Sequence, residues 1–255
     1  MKYYEDFIKA GCFDFEYAKK LVGSKEAAVS VLKKYAEKGY MSKVRRGLYA
    51  AINPIDNEPV ANKFVIASNI SETAIVSHHS AFEYYGYANQ VSYNISVTSE
   101  SRFESFSFND FRYTRFKPNI ASGVVRIPGG IRITDIERTV LDSINDFEND
   151  MGFEELIQCI SNIPFLKEEK LIRYLEEYGK CFMYQKAGFI FEHFKEEFMF
   201  SDDFIKLCKQ KSGNSSRYLI KNTLKNKMDF SGYWHLTVPH NIWNNLNGGE
   251  DYADI

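Results

Sequence analysis

The most informative segment of the chain spans residues 40–50 and reads Tyr40-Met41-Ser42-Lys43-Val44-Arg45-Arg46-Gly47-Leu48-Tyr49-Ala50. We interpret it as a β-hairpin, with Tyr40–Val44 as the outgoing strand and Gly47–Ala51 as the returning strand. Gly47 supplies the positive φ that a tight turn needs, and Arg45 and Arg46 stand at the tip. A basic hairpin that follows a helix is typical of the winged helix-turn-helix domains that bind DNA.

Three helices are predicted before this hairpin, at about Lys2–Ala10, Asp14–Val22 and Lys25–Lys38. Ser24 is a suitable N-cap for the third, because its hydroxyl can accept a hydrogen bond from an unpaired backbone N–H of the first turn. The apolar residues of the third helix recur with the helical period, which predicts burial of Ala27, Ala28, Val31, Leu32, Tyr35 and Ala36. The short gap between the second and third helices fits a helix-turn-helix.

In that arrangement the third helix enters the major groove with its first turns. Polar side chains on its outer face would reach base edges, a valine would touch thymine methyl groups, and lysines would meet phosphates. The arginines of the hairpin would enter the minor groove or bind phosphates. The predicted DNA-binding residues are Lys25, Val29, Ser30, Lys33, Lys34, Lys43, Arg45 and Arg46.

The charge distribution agrees with this interpretation. The 255 residues have a net charge of −2, but residues 1–52 contain 11 basic and 6 acidic residues, whereas the remainder contains 21 basic and 28 acidic ones. A basic head on an acidic body suggests that the head meets a polyanion, and chance segregation on solvated surfaces is the alternative. We therefore predict a DNA-binding domain over residues 1–52 and a second domain over residues 53–255.

The body pattern predicts an α+β fold. Residues 53–147 alternate short strands with helices, including a helix at 59–69, a strand with Tyr93, Ile95 and Val97 on one face, and a capping box at Thr134–Glu137. A small, mostly antiparallel sheet is expected there. Residues 148–255 are predicted to be mostly helical, with amphipathic stretches near 153–162, 167–178, 183–198 and 202–211 and a late strand at Tyr233–Val238.

A second cationic segment lies in this acidic body. No acidic residue interrupts a set of seven basic residues, which are Lys206, Lys209, Lys211, Arg217, Lys221, Lys225 and Lys227. It is either a solvated surface or a second polyanion contact, with flanking DNA or with RNA.

Catalysis and metal binding are not predicted, and neither is any cofactor. His78 and His79 are adjacent and point to different faces of a helix, and no cysteine or histidine pair has zinc-ligand spacing. Acidic residues near 135–142 lack the strand-borne partner of a metal-dependent nuclease. The amino terminus is too polar for a signal peptide and no apolar run reaches about 18 residues, so we expect a cytoplasmic protein with free thiols.

The order of motifs resembles the antitoxin and transcriptional-regulator component of the AbiE type IV toxin–antitoxin systems. The resemblance rests on Gly39-Tyr40, Val44–Tyr49, Ser77 with Ser80–Gly86, Ile95–Thr98 and Ile133–Asp142, and more loosely on Lys186–Gly188 and Trp234–Pro239. It implies a winged helix that represses its own operon at inverted repeats. It also implies a body that neutralises a nucleotidyltransferase-like toxin in abortive infection, with direct contact between the two left open, and no enzyme activity.

The sequence is also compatible with two other functions. One is a winged-helix transcriptional regulator whose body senses a ligand or dimerises, with no toxin partner. The other is a nucleic-acid enzyme built on a winged helix.

Overall fold

The computed structural model describes residues 2–221 and 227–244, which form a mixed α+β fold. The chain divides into two compact units. The first comprises Met1–Gly86 and Gln90–Asp135, and the second comprises Tyr87–Asn89 and Ile136–Ile255. The predicted domain boundary after residue 52 therefore falls inside the first unit.

The amino-terminal elements match the predicted order and carry one additional short strand. They are α1 (Tyr4–Ala10), β1 (Cys12–Asp14), α2 (Phe15–Val22), α3 (Lys25–Glu37), β2 (Met41–Arg45) and β3 (Leu48–Ala51). The three strands form an antiparallel sheet in the order β1-β3-β2. Ser24 caps α3 as predicted, because its hydroxyl accepts a hydrogen bond from the Ala27 N–H at 3.1 Å.

The buried stripe of α3 is narrower than the sequence predicted. Ala28, Leu32 and Tyr35 are buried, but Ala36 is exposed. Successive helical residues point about 100° apart, so a residue next to a buried position lies at the edge of the stripe. The predicted burial of Ala36 is therefore wrong, and Ala27 and Val31 are only half-buried.

The two-stranded hairpin separates two apolar clusters. Met41 and Ala51 join the helices in one cluster, which also contains Phe7, Phe13, Ala18, Leu32 and Tyr35. Val44, Leu48 and Ala50 point the other way and pack with residues of the following sheet, among them Ile66, Val76, Ile95 and Ile133. Because side chains alternate between the faces of a strand, one hairpin serves both clusters. Because the hairpin packs on both clusters, residues 1–52 and the sheet that follows them belong to one compact unit.

The rest of the first unit is built on a six-stranded mixed sheet. Its elements are α4 (Lys63–Ser68), β4 (Ile75–Val76), α5 (His78–Tyr85), β5 (Asn94–Thr98), β6 (Phe106–Phe108), β7 (Phe111–Phe116), β8 (Val124–Ile127) and β9 (Ile131–Thr134). The strand order is β6-β7-β5-β4-β9-β8. The pairs β5–β7 and β4–β9 are parallel and the other three are antiparallel, so the antiparallel majority is small.

Two elements of this unit differ from their predicted form. Helix α4 starts at Lys63, not at residue 59, because Asn62 caps it by accepting hydrogen bonds from Phe64 and Val65 N–H at 3.0 Å. Strand β5 is buried on both faces from Ile95 to Thr98, as is typical of a central strand, whereas Tyr93 lies before it and is 68% exposed.

The second unit is mainly helical and ends in a small sheet. Its elements are α6 (Ile136–Asp146), a 3-10 turn (Phe147–Asn149), α7 (Gly152–Ser161), α8 (Glu168–Tyr178), α9 (Cys181–His193), α10 (Lys195–Phe198), α11 (Asp202–Ser212), β10 (Arg217–Tyr218), β11 (Met228–Ser231) and β12 (Leu236–Pro239). The strand order is β10-β12-β11, where the sequence predicted a single late strand. Within residues 2–221 and 227–244, no helix has the length and apolar character to cross a membrane.

Helix α6 begins directly after β9, at the segment where the capping box was predicted. Thr134 is the last residue of β9, and the helix begins at Ile136. The Glu137 carboxylate accepts hydrogen bonds from the Lys167 N–H at 3.1 Å and from Lys170 Nζ at 3.0 Å. These bonds connect the first turn of α6 to the start of α8, and the capping box itself stays a prediction.

A buried ionic network connects α6 with α8. Arg138 Nε donates to an Asp142 carboxylate oxygen at 3.1 Å, and both side chains are almost fully buried. The Tyr178 hydroxyl donates to the other oxygen of Asp142. Burial, followed by the nearby Asp142 carboxylate, raises the pKa of Tyr178 well above its usual value, so this hydroxyl keeps its proton.

Helix α9 is the central helix of this unit, and the Trp234 indole lies directly against Gly188 on it. Trp234 is fully buried, and its Nε1–H donates to the Glu192 carboxylate at 2.6 Å. The Gln185 side-chain amide donates to the carbonyl oxygens of Ser215 and Trp234 at 2.8 and 3.2 Å. These contacts fix the segment before β12 on the helix.

Candidate nucleic-acid interface

Helices α2 and α3 are joined by a short, well-defined turn. Asp14 caps α2 by accepting a hydrogen bond from the Tyr17 N–H at 2.7 Å. Gly23 ends α2 in the left-handed region at φ 104°, which glycine adopts without the steric cost of a side chain. Ser24 then starts α3. The turn therefore fixes the direction of α3 relative to α2.

The outer face of α3 carries the residues that were predicted to contact DNA. Lys25, Val29, Ser30, Lys33 and Lys34 are all exposed, while the opposite side of the helix packs into the amino-terminal cluster. Val29 is 51% exposed and forms an apolar spot among cations. Lys33 lies 4.0 Å from the Glu37 carboxylate, but both side chains are largely exposed and such a pair is weak.

The hairpin presents its basic residues in two different environments. Lys43 is exposed on β2, and Arg46 is exposed in the Arg46–Gly47 turn, where Gly47 has φ 81°. Arg45 is the last residue of β2 and is half-buried, whereas the sequence placed it at the free tip. Its guanidinium lies 5.4 Å and 5.5 Å from the ring centroids of Phe103 and Phe106, which is within cation–π range.

Sequence reasoning missed these aromatic partners of Arg45. Phe103 and Phe106 come from the segment that leads into β6, far along the chain from the hairpin. Their only local signal is a short aromatic run, Phe103 to Phe111, which reads equally well as core packing. The contact gives Arg45 a fixed orientation beside the exposed Arg46.

Arg132 on β9 lies on the other side of the hairpin turn, in a hollow that Arg45, Arg46 and Glu72 also line. Its guanidinium donates to the backbone oxygens of Ser68, Ser71 and Glu72, with a distance of 2.6 Å to Ser71. Burial, and then the Arg126 charge, lower the pKa of Arg132. Because its donors hold the loop after α4, we interpret Arg132 as a structural residue.

The six described residues of the predicted second patch have varied surroundings in the second unit. Lys206 lies 3.5 Å from Asp203 and Lys211 lies 3.0 Å from Glu176. Lys209 and Arg217 lie over the rings of Tyr233 and Phe182. Lys221 and Lys227 are exposed, and Lys225 lies outside the described residues. A polyanion contact at this patch stays a prediction, and it would compete with the two carboxylates.

Comparison with known proteins gives a likeness of fold. No protein-family model matches the chain, and no curated protein matches it. Among solved structures, the RV2827C protein from Mycobacterium tuberculosis is similar, with a TM-score of 0.60 and 12% sequence identity over 89% of this chain and 86% of that one. At this identity the similarity concerns the fold alone.

Proposed function

We propose that residues 1–52 form a winged helix-turn-helix that binds duplex DNA. The observation that carries the proposal is the pairing of a cationic, exposed face on α3 with an exposed Arg46 on the adjacent hairpin. The element order α1-β1-α2-α3-β2-β3 supports this interpretation, since α3 would be the recognition helix and β2–β3 the wing. Helix and hairpin share one buried cluster, so both would meet the duplex as one rigid body.

The residues divide by the part of the duplex that they would contact. Ser30 and Lys33 face base edges in the major groove, and Val29 faces thymine methyl groups. Lys25, Lys34 and Lys43 face phosphates. Arg46 enters the minor groove or binds a phosphate at its edge. Base contacts would give sequence preference, while the lysines and arginines would supply most of the affinity at low salt.

We further propose that this DNA binding serves autorepression of an antitoxin operon. This step rests on the sequence resemblance to the AbiE antitoxins. The operator would be inverted repeats, and the functional partner would be a nucleotidyltransferase-like toxin. A regulator with a ligand-sensing or dimerising body and no toxin is the competing function. Footprinting on the promoter of the gene at two salt concentrations tests the DNA-binding step, and absence of a footprint at both would reject it.

Replacing Arg45 and Arg46 together with alanine is expected to weaken operator binding by roughly 1–3 kcal/mol, because charge and wing position are lost together. Arg46→Ala alone isolates the charge, since Arg45 also packs on Phe103 and Phe106. Arg112→Ala is the matched control, because Arg112 is an exposed arginine of the same unit outside the proposed interface. Fluorescence anisotropy with an operator duplex measures all three, and equal losses for Arg46→Ala and Arg112→Ala would contradict the assignment.

The same double variant separates the two parts of the proposed function. Expressed from an unrelated promoter, Arg45→Ala with Arg46→Ala is expected to protect cells from the toxin as well as the wild type does. The reason is that neutralisation is assigned to the body and repression to the amino-terminal domain. Growth after toxin induction and reporter expression from the operon promoter give the two readouts. Lost protection with intact repression would reverse the assignment.

A further inference from the structure

Four arginines line one open groove beside the hairpin, with a volume of about 720 Å³. Arg45 and Arg46 come from the hairpin, Arg102 comes from the segment before β6, and Arg115 comes from β7. Among the described residues that line this groove, Glu104 is the one carboxylate. We call these four residues and the space between them the arginine groove.

Two of the four side chains are held in place by neighbouring groups. Arg45 lies over the Phe103 and Phe106 rings, as described above. Arg115 Nε donates to the Ser101 carbonyl oxygen at 3.0 Å, and its Nη2 donates to that of Glu100 at 3.3 Å. These bonds also anchor the loop from which Arg102 projects. A ligand that binds these two arginines would therefore cost little additional side-chain entropy.

The charge of the arginine groove is not balanced by its own lining. Four guanidinium groups face one carboxylate, and like charges brought together on one concave surface raise its positive potential. A guanidinium offers a planar fork of N–H donors that matches two phosphate oxygens. Small-molecule pockets are mostly enclosed and apolar, whereas this groove is open and runs from the exposed Arg46. An open groove of this kind can bind several phosphates of a nucleic-acid backbone.

We infer that the arginine groove binds backbone phosphates of the duplex that extends past the wing. The inference rests on the proposed DNA binding and adds a contact by the body of the first unit. It places this contact on the segment before β6 and on β7, and does not involve the basic residues from Lys206 to Lys227. The operator would then be longer than the part that α3 and the wing cover.

Arginine-specific labelling with phenylglyoxal, read by mass spectrometry, tests the inference on the full wild-type chain. A duplex of the promoter sequence is expected to reduce labelling of Arg46 and Arg102. Arg112 provides the internal reference, because it lies on the same strand as Arg115 with its side chain on the opposite face and is exposed. Its labelling is expected to stay unchanged.

The variant Arg102→Ala gives a quantitative readout against Arg112→Ala. Loss of one phosphate contact is expected to reduce the slope of log K against log salt by about 0.9 in magnitude for Arg102→Ala, with no change for Arg112→Ala. Arg102 is exposed and the backbone carbonyls of its loop are held by Arg115, so the substitution leaves the fold intact.

The outcomes separate the inference from the proposed function. Protection of Arg46 without protection of Arg102 overturns the inference and leaves DNA binding by the wing in place. Failure of the duplex to bind or to protect either arginine rejects the proposed function itself. Protection of Arg102 by inorganic phosphate but not by the duplex assigns the groove to a small anion and also overturns the inference.

Discussion

Replacing Gly188 with alanine is expected to destabilise the second unit by at least about 3 kcal/mol, in the upper range for overpacking a core. A Cβ atom at this position would lie 2.2 Å from two atoms of the Trp234 indole and 3.0 Å from a third. The indole cannot retreat easily, because it is fully buried and its Nε1–H is bonded to Glu192. The gain of about 1 kcal/mol in helix propensity on going from glycine to alanine is smaller than this penalty.

Gly232→Ala is the matched control for this substitution. Apart from Gly232 itself and its two chain neighbours, no residue would come within 4 Å of a Cβ atom at this position. Gly232 is also not among the glycines with positive φ, so a change within about 0.5 kcal/mol is expected. Urea unfolding followed by circular dichroism, with hydrogen exchange of the α9 amides, measures both variants. Adding Trp234→Leu to Gly188→Ala should cost less than the sum of the two single changes, because the smaller side chain relieves the clash. Strict additivity would exclude the clash as the cause.

Asp142→Ala is expected to cost about 3–5 kcal/mol, because it removes a carboxylate that pairs with the buried Arg138 guanidinium. Arg138 is 0% exposed and lies 3.1 Å from Asp142. The same change removes the acceptor of the Tyr178 hydroxyl, which adds the cost of a buried donor without its partner. The free energy of unfolding from urea titration gives the magnitude.

Glu176→Ala is the control from the same unit. Glu176 lies 3.0 Å from Lys211, a distance close to that of the buried pair, but the two side chains are 53% and 42% exposed. Water screens such pairs, so a loss below about 1 kcal/mol is expected. Replacing Arg138 and Asp142 with leucine and Tyr178 with phenylalanine should recover part of the loss, because none of these three side chains is then charged or polar. Equal losses for Asp142→Ala and Glu176→Ala would show that burial does not determine the cost.

The sequence predicted the elements whose signals are local. Ser24 and the apolar stripe predicted the start of α3 and its end to within one residue. Gly47 predicted the position of the hairpin, and the helical periodicity predicted the helices of the second unit. Each of these features depends on residues that are close along the chain.

The features that sequence reasoning missed depend on distant residues. Nothing in the sequence of β5 or of β7 indicates that the two strands pair in parallel. The burial of β5 on both faces follows from its central place in the sheet. The rings beside Arg45 and the carboxylate beside Lys211 come from segments far along the chain. The candidate interface was thus predicted on α3 and the turn, while Arg102 emerged only from the folded structure.

The hairpin has a practical consequence for protein engineering. A fusion that transplants residues 1–52 onto an unrelated scaffold would uncover the side of the hairpin formed by Val44, Leu48 and Ala50, which here is covered by the six-stranded sheet. Bare apolar surface of that kind promotes aggregation. A fusion protein that carries this domain should therefore either keep the chain through Asp135 or have polar residues at these three positions.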